Sequence, residues 1–187
     1  RLTEGTFYVT AAIEMESSVA LVGAGAGTII EKNCNDYAIE AVGGAGSELT
    51  GVQLRDITVT RDSGDTNDVA LIWFTYADSS SITDVTCRAA YSYSIRAYLC
   101  DGIRIQGCEA DYTGGGTGVM YAIWANTCTS ALIVACYVHG GSSTDTFYGL
   151  VSTGTGVLIQ GNSVANLQGN VVCGIISNGA ESTVVNN

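Results

Sequence analysis

Residues Tyr93 to Ala110 read YSIRAYLCDGIRIQGCEA and contain one complete unit of a sequence repeat. The unit opens with a pentad: an aromatic or small apolar residue, a tiny residue, an aliphatic centre, a variable residue and usually a small residue. The aliphatic centre recurs every 24 to 32 residues, at Ile39, Leu71, Ile95, Ile123, Leu150 and Ile175. A pattern that returns at such a period is typical of solenoid proteins, in which each unit packs against its neighbours.

A second recurring segment lies between the pentads and begins with an aliphatic residue. Its third position is occupied mostly by residue types that tolerate a left-handed backbone, so we expect the chain to turn a corner there on every coil. These corner positions are Gly23, Asp56, Asp84, Gly107, Cys136, Gly161 and Asn186, with Cys136 as the exception. The next position reads Ile57, Val85, Cys108, Tyr137, Asn162 and Asn187. An asparagine ladder is therefore expected only near the C-terminal end.

The composition agrees with stacked strands joined by corners. The 187 residues include 24 glycines and no proline. Proline lacks the N–H that a central strand needs, whereas glycine suits corners. Short segments alternate with a period of two residues, and helical periodicity is missing. The sequence predicts an all-β fold, a right-handed parallel β-helix with three sheets and about six or seven coils. We expect one domain over residues 1–187, as a segment of a larger chain, with first coils at about 5–33 and repeated coils at 34–187.

Charge and composition exclude several classes of protein. A formal net charge of −11 repels a phosphate backbone, which argues against nucleic-acid binding. The hydrophobic fraction of 47% argues against intrinsic disorder. The longest apolar runs are far shorter than a membrane-spanning helix. A single histidine argues against a multi-histidine metal site, and the glycines at 23–27 do not have the spacing of a nucleotide-binding loop.

Three nine-residue segments carry a resemblance to a known family: GVQLRDITV at 51–59, GIRIQGCEA at 102–110 and GVLIQGNSV at 156–164. They resemble coils of the pectin-lyase-like right-handed parallel β-helix superfamily. Residues 5–9 and 19–28 resemble the first coils of pectate-lyase-type domains, as in phage tailspikes. The resemblance implies an extracellular or virion-borne β-helix that recognises a polysaccharide. Cleavage by a lyase or a glycoside hydrolase stays open, and the alternative is a non-catalytic structural or adhesive solenoid.

The pentads also predict a candidate site. If the aliphatic centres point inward, alternate positions face outward, and stacking of the coils turns them into columns. On the N-terminal coils these columns bring together carboxylates and an arginine, with an aromatic residue one coil further. Such groups suit sugar cleavage and binding. The candidate catalytic residues are Asp68, Asp36, Glu40 and Arg96, and the candidate substrate-binding residues are Trp124 and Arg96. The open alternative is that these are ordinary turn and surface residues.

The loop before the second pentad is a candidate calcium site. Asp62, Asp65 and Asp68 offer carboxylate oxygens at spacings that could surround Ca²⁺. The full calcium-loop pattern is missing, and an ordinary acidic loop is the open alternative.

On the C-terminal coils the same columns predict an outward apolar stripe. Its members are Met120, Phe147, Val172, Trp124, Val151 and Ile176. Because a patch of this size is rarely left in water, we expect a homo-oligomer or a covering domain over it. The tailspike resemblance implies a trimer. A shift of the inward and outward assignment by one residue is the alternative, and it would bury these side chains and expose the tyrosines.

Cys100 and Cys128 each lie five residues beyond their pentad centres and should stack on neighbouring coils. An oxidising environment would permit a disulfide between them, whereas the cytosol would leave buried thiols.

Overall fold

The structure is a computed structural model that describes residues 1–62, 69–112, 118–141 and 143–187. In these ranges it contains β-strands and no helix, and every pairing between its strands is parallel. The strands stack coil upon coil in a right-handed parallel β-helix, as the sequence predicts. The described part of the chain has no helix with the length and apolar character that crossing a membrane requires.

One face of the β-helix is a seven-stranded sheet that contains the pentads. Its strands, in spatial order, are β2 (Ile13–Glu14), β5 (Ile39–Val42), β8 (Ile72–Thr75), β11 (Tyr93–Tyr98), β14 (Met120–Asn126), β17 (Thr146–Ser152) and β20 (Val171–Ser177). Spatial order equals chain order because each strand pairs with its counterpart on the next coil. A residue on this sheet therefore has its equivalents from the adjacent coils as direct neighbours.

The rest of the wall is a twelve-stranded sheet and one small pair of strands. The main path of the large sheet consists of β1 (Gly5–Val9), β4 (Thr28–Lys32), β7 (Gln53–Arg61), β10 (Ser81–Arg88), β12 (Arg104–Gln106), β15 (Leu132–Val134), β18 (Leu158–Gln160) and β21 (Thr183–Val185). Beside this path lie β3 (Ala20–Val22), β13 (Glu109–Asp111), β16 (Tyr137–His139) and β19 (Ser163–Ala165). The pair is β6 (Leu49–Thr50) with β9 (Ala77–Asp78).

The corner after each aliphatic segment has a left-handed backbone on six successive coils. The corner residues and their φ angles are Asp56 (58°), Asp84 (52°), Gly107 (63°), Ala135 (53°), Gly161 (63°) and Asn186 (52°). Five of the predicted corners are confirmed. The prediction was wrong at Cys136, because the corner there is Ala135 and the segment starts one residue earlier, at Ile133. It was also wrong at Gly23, which does not have a positive φ angle.

The residue after each corner points into the interior and forms a ladder. Its members are Ile57, Val85, Cys108, Cys136 and Asn162, all of them buried, followed by Asn187. Cys136 replaces the predicted Tyr137 because of the shifted corner. The expected asparagine ladder is confirmed at the C-terminal end, where Asn162 Nδ2 donates to Asn187 Oδ1 at 2.9 Å and to the carbonyl of Ile133 at 3.1 Å.

The pentad strands do not keep a simple in–out alternation. In β14, Ala122 and Ile123 are consecutive and both fully buried, while Tyr121 and Trp124 both face outward. The ladder pairing skips the position of Ala122 on each coil from β11 to β20. This position carries only small residues, namely Ser94, Ala122, Gly149 and Gly174. Small side chains let the strand bend here, so that two consecutive residues reach the interior.

The bend overturns the outward position that the sequence predicts for residues before the small residue. Met120 and Phe147 belong to the core, with no exposed surface, and the tyrosines beside them face outward. The predicted apolar stripe is therefore wrong for these two residues. Val172 pairs with Phe147 but is 43% exposed, so its predicted exposure is confirmed. After the bend, Trp124, Val151 and Ile176 share one row, in which Trp124 and Ile176 are partly exposed but Val151 is only 5% exposed, so the predicted stripe is also wrong for Val151. Less apolar surface is therefore exposed than the prediction of a trimer assumed.

Cys100 and Cys128 are buried free thiols. Each cysteine follows a residue with a left-handed backbone. These two equivalent residues are Leu99, with a φ angle of 53°, and Thr127, with a φ angle of 54°. A hydrogen bond from one thiol to the other lowers the pKa of Cys100 and raises that of Cys128. The two side chains are therefore in contact, as their equal distance from the pentad centres predicts.

Candidate functional site

The outward row after the bend runs the whole length of the seven-stranded sheet and changes its chemistry along the axis. In register, its members are Glu14, Glu40, Trp73, Arg96, Trp124, Val151 and Ile176. Neighbouring members belong to adjacent strands, whose spacing is about 4.8 Å. Two carboxylates therefore lie at one end, an arginine between two indoles lies in the middle, and aliphatic side chains lie at the other end.

Trp73 occupies this row because the register of the second coil differs from the sequence prediction. Ile72, and not Leu71, pairs with Ile39 and with Ile95. Ile72 is therefore buried and is not one of the outward residues. The shift of one residue places Trp73 between Glu40 and Arg96, where the sequence predicts an isoleucine.

Arg96 lies between the two indole rings. Its guanidinium carbon is 4.4 Å from the ring centre of Trp73 on the preceding coil and 4.8 Å from that of Trp124 on the following coil. Two tyrosines of the same strand, Tyr93 and Tyr98, flank it at 5.3 and 5.8 Å. At such distances the ring quadrupoles attract the cation, so the arginine and the rings hold one another in place.

A row of tyrosines runs beside Arg96 and the tryptophans. Tyr93 stacks on Tyr121 at 5.4 Å, and Tyr121 stacks on Tyr148 at 4.7 Å and on Trp124 at 4.5 Å. We call the outward side chains of Tyr37, Trp73, Tyr93, Arg96, Tyr98, Tyr121, Trp124 and Tyr148 the aromatic face. Its rings stack largely on one another, so they offer mainly their edges and polar tips to a ligand.

Acidic residues gather at the N-terminal end of the aromatic face. Glu14 and Glu40 are register partners, and a cleft of about 170 Å³ lies beside them with Glu16, Met15, Val42 and Leu49 in its wall. Partial burial raises the pKa of Glu40 above its ordinary value, and the charges of Asp36 and Glu14 raise it further. Burial also raises the pKa of the adjacent Tyr37, although Arg96 opposes this shift.

We expect Glu40→Gln to stabilise the protein near neutral pH. Folded Glu40 binds its proton more tightly than the unfolded chain does, so its ionisation costs stability as the pH rises from the ordinary carboxyl range through the raised pKa. The variant should therefore have a higher melting temperature than the wild type at about pH 7. The difference should vanish at about pH 3, where Glu40 is protonated in both the folded and the unfolded protein. Melting curves at both pH values test this, with the exposed Glu4→Gln as the control. A difference independent of pH would contradict it.

The structure brings some of the predicted site residues together and leaves others outside the described residues. Asp36 is exposed and close enough to Glu40 and Tyr37 to affect the pKa of both. Glu40 and Arg96 share one row, separated by Trp73, and Trp124 follows Arg96 on the next coil as predicted. Asp68 lies outside the described residues, so its predicted catalytic role stays a prediction.

The predicted calcium site cannot be assembled from the residues described. Asp65 and Asp68 lie outside them, and the backbone N–H of Asp62 donates to the carbonyl of Lys32 at 2.9 Å. Across the described ranges, no group of three or more histidine, cysteine, aspartate and glutamate side chains is arranged to hold a metal ion. Calcium binding by Asp62, Asp65 and Asp68 therefore stays a prediction.

The histidine lies on the other large sheet, away from the aromatic face. His139 Nε2 is 2.7 Å from a carboxylate oxygen of Glu109, and its Nδ1 is 4.0 Å from one of Asp111. The ring of Tyr137 stacks on the imidazole at 4.4 Å. These side chains lie on the solvent side of β13 and β16, where water weakens such ion pairs.

Sequence reasoning missed Glu14 and Trp73, and it predicted outward tyrosines only as the alternative to the apolar stripe. Glu14 follows Ile13 as Glu40 follows Ile39, which was a usable signal in the sequence. The tyrosines recur at the first position of the pentads, but a strict two-residue period assigns them to the interior. Only the bend at the small residue that follows turns them outward.

The fold has counterparts among solved structures, although the sequence has no close relatives among the proteins compared. No protein-family model matches the chain, and no curated protein matches it in sequence. The catalytic domain of a GH87 α-1,3-glucanase, solved in complex with nigerose, matches with a TM-score of 0.57 and 13% identity. The match covers 89% of this chain and 34% of that chain.

Two further structures match with lower TM-scores. ORF18 of Geobacillus virus E2 has a TM-score of 0.40 and 13% identity, with 97% of this chain and 51% of that chain covered. The A-module of the Azotobacter vinelandii mannuronan C-5 epimerase AlgE6 has a TM-score of 0.32 and 12% identity, with 98% and 89% covered. The chain thus spans about half of the viral protein and about a third of the glucanase structure. By its fold, the chain is a right-handed parallel β-helix.

Proposed function

We propose that this β-helix binds a polysaccharide along the aromatic face. The observation that carries the proposal is the continuity of this face, which crosses five successive coils from Tyr37 to Tyr148. Five strands span roughly 20 Å along the axis. A linear polymer that lies along the axis would meet similar groups at every coil, as a chain of repeating sugars requires.

The groups of the aromatic face suit sugars. Phenol hydroxyls donate and accept hydrogen bonds, and ring edges contact C–H groups, while the carboxylates next to the N-terminal end of the face accept hydrogen bonds from sugar hydroxyls. The net charge of −11 disfavours a nucleic acid as the alternative polymer. The glucanase with a similar fold was solved with nigerose bound, so this architecture supports glycan binding in another protein.

The proposal includes the finer assignments that the sequence suggests. Membership in the pectin-lyase-like superfamily and a location outside the cell or on a virion both agree with a polysaccharide ligand. Association into a trimer is the third assignment, and the exposed valines of the last pentad strand, Val171 and Val172, are the apolar surface outside the aromatic face that could support it.

Binding to a panel of neutral and acidic polysaccharides tests the proposal. We expect wild-type protein to bind at least one of them and Tyr121→Ala to bind it about tenfold more weakly, because this substitution opens the middle of the aromatic face. Tyr137→Ala is the matched control, since Tyr137 is 39% exposed and lies on the other large sheet. Affinity electrophoresis or calorimetry measures both. An equal loss of polysaccharide affinity in the two variants, or no binding of the wild type to any polysaccharide, would overturn the proposal.

Glycan cleavage is a second candidate function, favoured by the pair of Glu14 and Glu40. A carboxylic acid with a raised pKa next to a second carboxylate is the arrangement that glycosidases use, with one group as the general acid and the other as nucleophile or base. Glu40 has the raised pKa and would act as the acid, with Glu14 as its partner.

New reducing ends and the ultraviolet absorbance of unsaturated sugars separate hydrolysis from elimination. If Glu40 is the acid, Glu40→Gln should still bind the polysaccharide but lose cleavage by about a hundredfold or more. Binding by the wild type without any product would instead support the non-catalytic adhesive solenoid. Products that form equally fast with Glu40→Gln would place the reaction elsewhere on the chain.

A further inference from the structure

We infer that Arg96 is a binding site for an oxyanion, and that the ligand of the aromatic face carries single anionic groups along a mainly uncharged chain. This inference rests on the proposed polysaccharide function and names the ligand class further. The surroundings of the Arg96 guanidinium provide the first observation. Trp73 and Trp124 belong to the coils before and after Arg96, so the guanidinium lies between two indole rings along the axis.

The guanidinium has no polar partner within the described residues. Its Nε is buried without a hydrogen-bond acceptor, and Arg96 forms no ion pair there. Three other arginines differ in this respect. Arg55 pairs with Asp56, Arg61 donates to the carbonyl of Ala89, and Arg104 donates to Gln106. Of these four arginines, Arg96 is the one held only by aromatic rings.

A charged group in this position is costly unless something compensates it. Partial burial of the guanidinium weakens the hydration of its charge. The cation–π contacts compensate part of this cost and fix the plane of the group. Because Nε is buried, the two terminal Nη amino groups are the donors left for a ligand, and together they can bind two oxygens of one carboxylate, sulfate or phosphate. The site is therefore preorganised for one oxyanion.

The charges around Arg96 limit how many anionic groups the ligand can carry. Glu14, Glu40 and Asp36 lie at the N-terminal end of the same face, and the aliphatic Val151 and Ile176 continue it at the other end. A uniformly charged polyanion would meet repulsion at the acidic end. A glycan with spaced acidic groups can instead place one of them at Arg96 and neutral sugars beside the carboxylates.

The chain offers its own optical probe of this site. It contains two tryptophans, and both flank Arg96. Titration with glucuronate, with glucose 6-sulfate and with glucose, followed by tryptophan fluorescence, therefore reports on the site itself. We expect a saturable change with glucuronate or the sulfate, no change with glucose, and weaker binding as salt is added. The first two sugars distinguish a carboxylate from a sulfate ligand.

Substitutions of Arg96 distinguish the effect of its charge from the effect of its forked shape. Arg96→Met, which removes the charge, should weaken anion binding by about tenfold or more, and Arg96→Lys should weaken it less because the charge is kept while the fork is lost. Arg104→Gln is the matched control, since Arg104 is exposed on the other large sheet. Unchanged binding in Arg96→Met, or an equal response of the wild type to glucose, would overturn the inference. The wild-type titration and Arg96→Lys decide the question even if Arg96→Met does not fold.

Binding measurements with polysaccharides of different charge test this inference and the proposed function independently. A mainly neutral polysaccharide with occasional uronate groups should bind more tightly than a polyuronate and more tightly than the same polysaccharide without uronate, and Arg96→Met should abolish the second preference. If polysaccharides bind without any preference for acidic groups, the proposed function stands and the oxyanion site is wrong. If glucuronate binds at Arg96 but no polysaccharide binds, the oxyanion site stands and the polysaccharide function is wrong.

Discussion

Phe147→Ala is expected to lower the melting temperature by roughly 6 to 20 °C, which corresponds to about 3–5 kcal/mol of stability for a chain of this size. Phe147 has no exposed surface, and its ring packs edge-on against Tyr112 at 5.0 Å with an interplanar angle of 80°. Its column neighbours are Met120 and Val172. Removal of the ring leaves a cavity that the rigid strands on both sides cannot close.

The same variant decides between the two assignments of the C-terminal coils. If Phe147 were part of an outward stripe, its loss would weaken association between subunits and leave the stability of the single chain nearly unchanged. Thermal unfolding and sedimentation, measured on the same samples, separate these outcomes. Val171→Ala is the control, because this neighbouring apolar side chain is 51% exposed and should cost less than about 1 kcal/mol. A melting temperature of Phe147→Ala close to that of the control would contradict the buried assignment.

Gly154→Ala is expected to destabilise the protein by about 3 kcal/mol or more, equivalent to roughly 6 to 12 °C. Gly154 is buried where the backbones of two coils touch. A Cβ atom added there would overlap the carbonyl oxygen of Cys128 and lie 2.7 Å from its carbonyl carbon and 2.8 Å from its nitrogen. That oxygen accepts the backbone N–H of Thr155 at 3.0 Å, so relief of the clash would also disturb a hydrogen bond between coils.

Gly174→Ala provides the matched control for this clash. Gly174 lies inside β20, and a Cβ atom added there would meet its nearest neighbour, Val164, at 3.9 Å, which is ordinary van der Waals contact. Because alanine loses less entropy than glycine on folding, this variant should keep or slightly raise the melting temperature. Denaturation of the two variants side by side measures the difference. Similar melting temperatures would show that the coils can separate at Gly154 without cost.

The repeat in the sequence was sufficient to predict the coils and most corners. Asp84, Gly107 and Gly161 recur at one offset from an aliphatic residue, and it is this constant offset of residue types that tolerate a left-handed backbone that marks the corners. The corner at Ala135 escaped prediction because alanine carries no turn signal. There the neighbouring coils impose the conformation, and the start of the segment shifts by one residue.

The candidate site was predicted in part. Glu40, Arg96 and Trp124 follow the bend, where the expected alternation holds, and they do share one outward row. Trp73 was displaced by a shift of one residue in register, which hydrogen bonding to β5 and β11 fixes. A one-residue change moves a side chain from one face of a strand to the other, so small errors of register have large consequences for a site.

The sequence by itself determined the architecture, because a period of 24 to 32 residues, glycine-rich corners and the lack of proline leave few alternatives to stacked parallel strands. Only the tertiary structure decided which side chains reach the solvent. The small residues at Ser94, Ala122 and Gly149 allow each strand to bend, and the bend turns tyrosines outward while it buries Met120 and Phe147. A bend of this kind depends on how the coils pack against one another, which no local pattern of hydrophobicity records.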